Sequence, residues 1–139
     1  MNISDRLYMN MKRLVIKIDK DIRHQFINTE LNDLSLAEIS IIDAIGLNGE
    51  KTITEIADFL EVALSTPTKA MDRLVKKGYI VRETDPNDRR LVVAKLTKQG
   101  EIASKQLTKN RHELLSSYLK NISKEQVEKL DEILDEIIL

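Results

Sequence analysis

Apolar positions recur along this chain with a helical period at both ends and an alternating one near the middle. Leu7, Met11, Leu14, Ile18 and Ile22 follow one another at intervals of 4, 3, 4 and 4, the spacing of one helical face. That stripe predicts a long amphipathic helix over residues 4–29, broken by Asn28-Thr29 and Asn32-Asp33. A second helix begins at Ser35. Glu38, three residues on, completes a capping box in which each side chain covers the other's exposed backbone N–H. Ile39, Ile42, Ala44 and Ile45 are its apolar positions, and Gly46 to Gly49 end it.

Thr52 and Glu55 form a second capping box and open a short helix, Ile53–Leu60, with Ile56, Ala57 and Leu60 facing inward. The next helix starts near Ser65 as N-cap. Pro67 then falls in the first turn, where its missing N–H leaves no hydrogen bond unmade. This helix runs to Lys77, and Gly78 is a natural left-handed stop. The pattern now alternates: Tyr79–Glu83 and Arg90–Leu96 read as strands around Asp85-Pro86-Asn87-Asp88, which suits a type I turn. Thr97 caps a long helix to about Lys120, and Ser123 with Gln126 makes a third capping box. The last helix carries Val127, Leu130, Ile133, Leu134, Ile137 and Ile138 on one side. The expected architecture is mainly α with a small β-wing, in the order α-α-α-α-β-β-α-α.

The formal charge of −1 over 139 residues conceals an uneven distribution. Residues 65–100 hold nine Lys/Arg against four Asp/Glu, a balance of +5, which leaves 13 basic against 19 acidic elsewhere. A basic central module on an acidic remainder is the footprint of localised phosphate binding. Cysteine is absent, which excludes disulfides, thiolate metal sites and thiol redox switching. No apolar run approaches about 18 residues and the N-terminus lacks a signal-peptide stretch, so the expected location is the cytoplasm. No nucleophile–base pair, catalytic carboxylate pair or phosphate-cradling glycine loop is present, so an enzyme is not expected.

A helix, a turn, a basic helix and a hairpin together make a helix-turn-helix with a wing. The second helix of such a pair enters the DNA major groove, and its N-terminal residues reach base edges. Those residues are Ser65, Thr66, Thr68 and Lys69, with Arg73 one turn further. On the hairpin, Arg89 and Arg90 stand beside Asp88. Guanidinium is favoured in a narrow minor groove, and Asp88 can orient one arginine through a bidentate bond.

In these pieces the sequence resembles the MarR family of winged-helix transcription regulators. Residues 54–60 (TEIADFL) resemble the family's third helix. Residues 66–82 (TPTKAMDRLVKKGYIVR) match its reading helix and exit. Residues 85–97 (DPNDRRLVVAKLT), followed by Gly100, match its wing and the start of the next helix. The specific match spans about residues 34–100. The resemblance implies a homodimer whose terminal helices interlock and whose two reading helices, residues 64–77, bind a palindromic site. It places the wing arginine at Arg90 and its orienting aspartate at Asp88. Two positions depart from the family's pattern: Ala63 stands where a capping serine is common, and Pro67 where an apolar residue is usual.

The division expected is 1–33 and 98–139 as dimerisation helices, with 34–97 as the DNA-binding lobe. Leu7, Met11, Leu14, Leu130, Ile133, Leu134 and Ile137 are the dimerisation candidates. The acidic polar face of the last helix argues against an anionic membrane. The resemblance also implies an effector between the dimerisation helices and the lobe. Ile18, Ile22, Phe26, Ile39 and Ile42 form either a slot for an acyl chain or ordinary core. Residues 31–46 (LNDLSLAEISIIDAIG) look somewhat like the branch that represses fatty-acid synthesis in response to acyl-acyl carrier protein. His24 and His112 with Glu30 or Glu113 are conceivable zinc ligands, but solvated or capping roles are expected; no cofactor or metal is. The competing reading is a winged-helix module that binds protein rather than double-stranded DNA.

Overall fold

Local signals place most of the helix boundaries. The computed structural model describes residues 1–27, 29–46, 49–60 and 65–139, apart from the side chains of 65 and 66. Its elements are α1 (Ile3–Phe26), a 3-10 turn (Glu30–Asp33), α2 (Leu36–Gly46), β1 (Glu50–Thr52), α3 (Ile53–Leu60), α4 (Ser65–Lys77), β2 (Ile80–Thr84), β3 (Val92–Leu96), α5 (Lys98–Leu119) and α6 (Lys124–Ile138). The Thr52–Glu55 box forms in both directions, at 3.2 and 3.0 Å. Thr97 accepts from the Gly100 N–H at 3.1 Å, and the Ser123–Gln126 box is complete. Gly78 ends α4 at φ +86, with the Gly78 and Tyr79 N–H groups folding back onto the carbonyls of Val75 and Leu74.

Some boundaries move, each for a visible reason. Helix α1 stops at Phe26 rather than 29, because the N–H and the hydroxyl of Thr29 both donate to the Phe26 carbonyl, each at 3.0 Å. The Asn28 part of the expected break, and residues 47–48 of the next one, lie outside the described residues. Strand β2 covers 80–84 instead of 79–83, since the Tyr79 N–H belongs to the α4 terminus. Strand β3 begins at Val92, not Arg90, because Arg90 is held in a turn closed by the Leu91 N–H on the Asp88 carbonyl at 3.0 Å. That turn spans 88–91. At the expected 85–88 turn, the Asp85 carboxylate accepts the N–H groups of Asn87 and Asp88 instead, an Asx-type closure. Strand β1 was not anticipated. It pairs antiparallel with β3, Glu50 opposite Lys95 and Thr52 opposite Val93, giving a three-stranded sheet in the order β1-β3-β2.

The core lies where α2, α3, α4 and the sheet meet. Ile41, Ile42, Ile45, Ile56, Met71, Leu74 and Ile80 are fully buried there. Each contributes about 1.5–3 kcal/mol of burial, so this lobe carries most of the fold's hydrophobic stabilisation. Helix α5 joins it through Ala103 and Leu107. Helix α1 reaches the same core with Phe26 and is tied to α5 by a Gln25 side-chain N–H on the Asn110 carbonyl at 2.9 Å.

The outer ends of the terminal helices are different. Leu7, Met11 and Leu14 on α1 are each about half exposed, and so are Leu130, Ile133, Leu134 and Ile137 on α6. No residue of α6 is buried. Two apolar stripes of this size on one chain exceed what a soluble surface ordinarily shows as isolated residues. Among the described residues no helix is long and apolar enough to cross a membrane.

Candidate nucleic-acid interface

Helix α4 is presented by a two-sided division of its residues. Pro67, Ala70, Met71 and Leu74 are buried, while Lys69, Asp72, Arg73 and Lys76 form the exposed face. Pro67 is the third residue of α4 and packs into the lobe. It therefore supplies the apolar contact expected there while its absent N–H falls in the helix's unpaired first turn. Thr68 is half-buried. Ser65 is the first residue of α4 rather than the cap before it; its side chain, the Thr66 side chain and Ala63 lie outside the described residues, as does residue 64 of the expected reading helix.

Several cations on this face are already engaged. Arg82 of β2 reaches Asp72 at 2.6 Å. Arg73 donates its Nε to Glu38 Oε1 at 3.2 Å while its side chain stays half exposed. Lys77 donates to Glu38 Oε2 at 2.7 Å and to the Asp33 carbonyl at 2.6 Å. The Ser35–Glu38 capping box is accordingly altered. Ser35 Oγ accepts the Glu38 N–H, but the Glu38 carboxylate takes the Ser35 hydroxyl and two cations of α4 rather than the Ser35 backbone N–H. Burial pushes the Glu38 carboxyl up, and the bonds from Lys77, Arg73 and Ser35 outweigh it, holding the group below its ordinary value. Stripping such a buried carboxylate of its partners costs about 3–5 kcal/mol.

The wing projects from the sheet on the β2–β3 connection. Lys95 of β3 bridges Glu83 on one neighbouring strand and Glu50 on the other, at 2.9 and 3.4 Å. At the tip, Asp88 accepts from the Arg90 backbone N–H at 3.0 Å, from its Nε at 3.1 Å and from its Nη2 at 3.3 Å. The guanidinium is thus oriented yet 90% exposed. Arg90, first through its side chain and then through its backbone N–H, holds the Asp88 carboxyl below its ordinary value. Arg89 is exposed beside it.

A second concavity lies between α1, α2 and α5. It encloses about 320 Å³ and is walled by Ile18, Ile22, Phe26, Ile39, Leu107, Leu114 and Leu115, with Gln25, Asp43, Asn110, Arg111 and Tyr118 among them. Four of the five expected slot residues are present; Ile42 instead is fully buried in the lobe core. Arg111 reaches Asp43 at 3.5 Å, and burial outweighs that attraction to raise the Asp43 carboxyl above its ordinary value. Tyr118 donates its hydroxyl to Asp21. Burial and the Asp21 carboxylate push that hydroxyl up to about 12. The α5 side of the cavity escaped the sequence reading, although Ala103, Leu107, Asn110, Leu114 and Tyr118 recur at 4, 3, 4 and 4. His24 and His112 line separate hollows. Among the described residues no group of three or more His, Asp or Glu could hold a metal ion.

The profile of the MarR family matches residues 34–92, the lobe and most of the wing. The chain is also 30% identical over 129 residues to the multiple antibiotic resistance protein MarR of Salmonella typhimurium, covering 91% of this chain and 89% of that protein. This chain belongs to the MarR family. Like the family's other members it is a winged helix-turn-helix transcription regulator. A mutant MarR from Escherichia coli complexed with operator DNA superposes with a TM-score of 0.79 at 25% identity, covering all of both chains. The Streptococcus pneumoniae FabT structure in complex with DNA aligns with a TM-score of 0.87, covering 97% of this chain and 94% of that one. At 23% identity that likeness speaks to the fold.

Proposed function

We propose that this MarR-family chain is a homodimeric, effector-responsive repressor that reads a palindromic operator. The observation that carries the reading is the wing: Arg90 is almost wholly exposed but fixed in direction by a two-pronged bond to Asp88. A surface ion pair does little for stability, whereas a guanidinium oriented before DNA arrives loses less freedom on entering a minor groove. Lys69 and Arg73 on the exposed face of α4 take bases or phosphates of the adjacent major groove, together with Ser65, Thr66 and Thr68. Arg89 adds phosphate contact.

The half-exposed stripes of α1 and α6 support dimerisation through Leu7, Met11, Leu14, Leu130, Ile133, Leu134 and Ile137. On this reading 1–33 and 98–139 hold the dimer and 34–97 meets DNA. The α1–α2–α5 cavity is the effector site, with Ile18, Ile22, Phe26 and Ile39 on its apolar wall. Its size is at the lower end of ligand pockets, suiting a small amphipathic molecule or part of an acyl chain. A ligand there acts only through its differential affinity for two arrangements of the lobes.

Selection of bound duplexes from a random pool, at two salt concentrations, tests the proposal. The expected result is a palindrome with half-sites about one helical turn apart, bound more weakly at the higher salt. No enrichment of any motif at low salt overturns it.

A further inference from the structure

Among the described residues Glu38 is the charged side chain that the fold buries, at 2% exposure. It stands in the first turn of α2. Its two oxygens are shared out: Oε1 takes Arg73 and the Ser35 hydroxyl, and Oε2 takes Lys77. Arg73 and Lys77 are four residues apart on α4, so the two bonds fasten successive turns of that helix to one point on α2. Lys77 is fastened a second time by the Asp33 carbonyl. Packing of Pro67, Ala70, Met71 and Leu74 sets the inward side of α4, and two polar attachments a turn apart restrain the roll that packing leaves.

For stability alone this is a poor use of a buried position, since an apolar side chain of similar volume commonly does as well as a buried ion pair. What the charged cluster adds is direction. It trims the roll of a helix whose buried apolar side already turns Lys69, Arg73 and Lys76 outward. It also engages Arg73 by its inner nitrogen while that side chain stays half exposed.

We propose that Glu38 is a specificity-determining positioning residue: it sets the roll of the reading helix and restrains Arg73, so that the interface favours its operator over other DNA. The inference rests on the DNA-binding reading above. Freed from Glu38, Arg73 becomes a mobile cation that binds phosphate anywhere, while Lys77 keeps its bond to the Asp33 carbonyl.

The test is Glu38→Gln, measured beside the wild type on the selected operator and on a scrambled duplex over a salt series. The expected ratio of operator to scrambled affinity falls about ten-fold, the discrimination normally carried by one base pair. Scrambled-duplex binding holds or rises, and its salt dependence steepens by about one phosphate per protomer. Parallel loss on both duplexes with an unchanged salt slope would mean a structural role only, and overturns the proposal. Arg73→Lys keeps the charge and loses the Nε bond, which covers a Glu38 variant that fails to fold. The expected result is the same fall in ratio with the same steepening of the salt slope, and an unchanged ratio or an unchanged slope overturns the proposal. Failure of the wild type to select a motif would instead remove the DNA-binding reading, and this inference with it.

Discussion

Arg90→Ala separates the wing's role in DNA binding from any role in the fold. The side chain is 90% exposed and its hydrogen bonds all go to Asp88 two residues away, so its loss leaves no cavity and no buried orphan. Unfolding by heat or denaturant is expected to match the wild type, as for surface changes generally. The effect on DNA has a computable form. If each wing arginine neutralises one phosphate and the dimer carries two wings, the slope of log affinity against log salt becomes shallower by about 1.8, at about 0.9 per phosphate. Between about 50 and 200 mM salt that difference amounts to about twelve-fold in affinity. The variant's deficit should therefore be largest at low salt and about twelve-fold smaller at the upper end. Fluorescence anisotropy of the selected operator duplex at three or more salt concentrations measures it directly. An unchanged slope refutes the wing's phosphate and groove contact, whatever happens to affinity at a single salt concentration.

Two further substitutions probe the scaffold and the cavity. A Cβ added at Gly100 would lie 2.0 Å from the Tyr79 carbonyl oxygen, which already accepts the Thr97 N–H. Gly100→Ala is expected to destabilise the fold by about 1–3 kcal/mol, the usual range for overpacking, read by urea denaturation; stability equal to wild type would show that the α5 start moves aside freely. Asp43 has a raised folded-state pKa because burial outweighs Arg111, so the folded state binds that proton more tightly and the wild type gains from this group as pH falls. Asp43→Asn should be at least as stable as wild type at pH 7, with its advantage shrinking as pH drops through the raised pKa toward 3.8; a variant deficit that grows above pH 7 contradicts the assignment.

The helices, their caps and the reading-helix stop were legible in the chain because each depends on residues within one turn. Ser123 and Gln126, Thr52 and Glu55, Thr97 and Gly100 need only their own neighbours to satisfy backbone groups. Gly78 needs only its missing side chain to adopt φ +86. The exposed stripes of α1 and α6 were likewise written in their own periodicity. Tertiary structure decided what no local signal could. Strand β1 is three residues, Glu50–Thr52, with no apolar alternation, and exists because β3 offers it an edge some forty positions away in sequence. The Glu38 carboxylate satisfies the local rule for a capping box, yet it turns to cations 35 and 39 residues distant, where its buried charge is better compensated. The same holds for Ile42, helical neighbour of the cavity's Ile39, which the packing of α2 sends into the lobe core instead. Residues on one helix share a period, but only the elements packed around it determine which of them face a core, a cavity or a partner's charge.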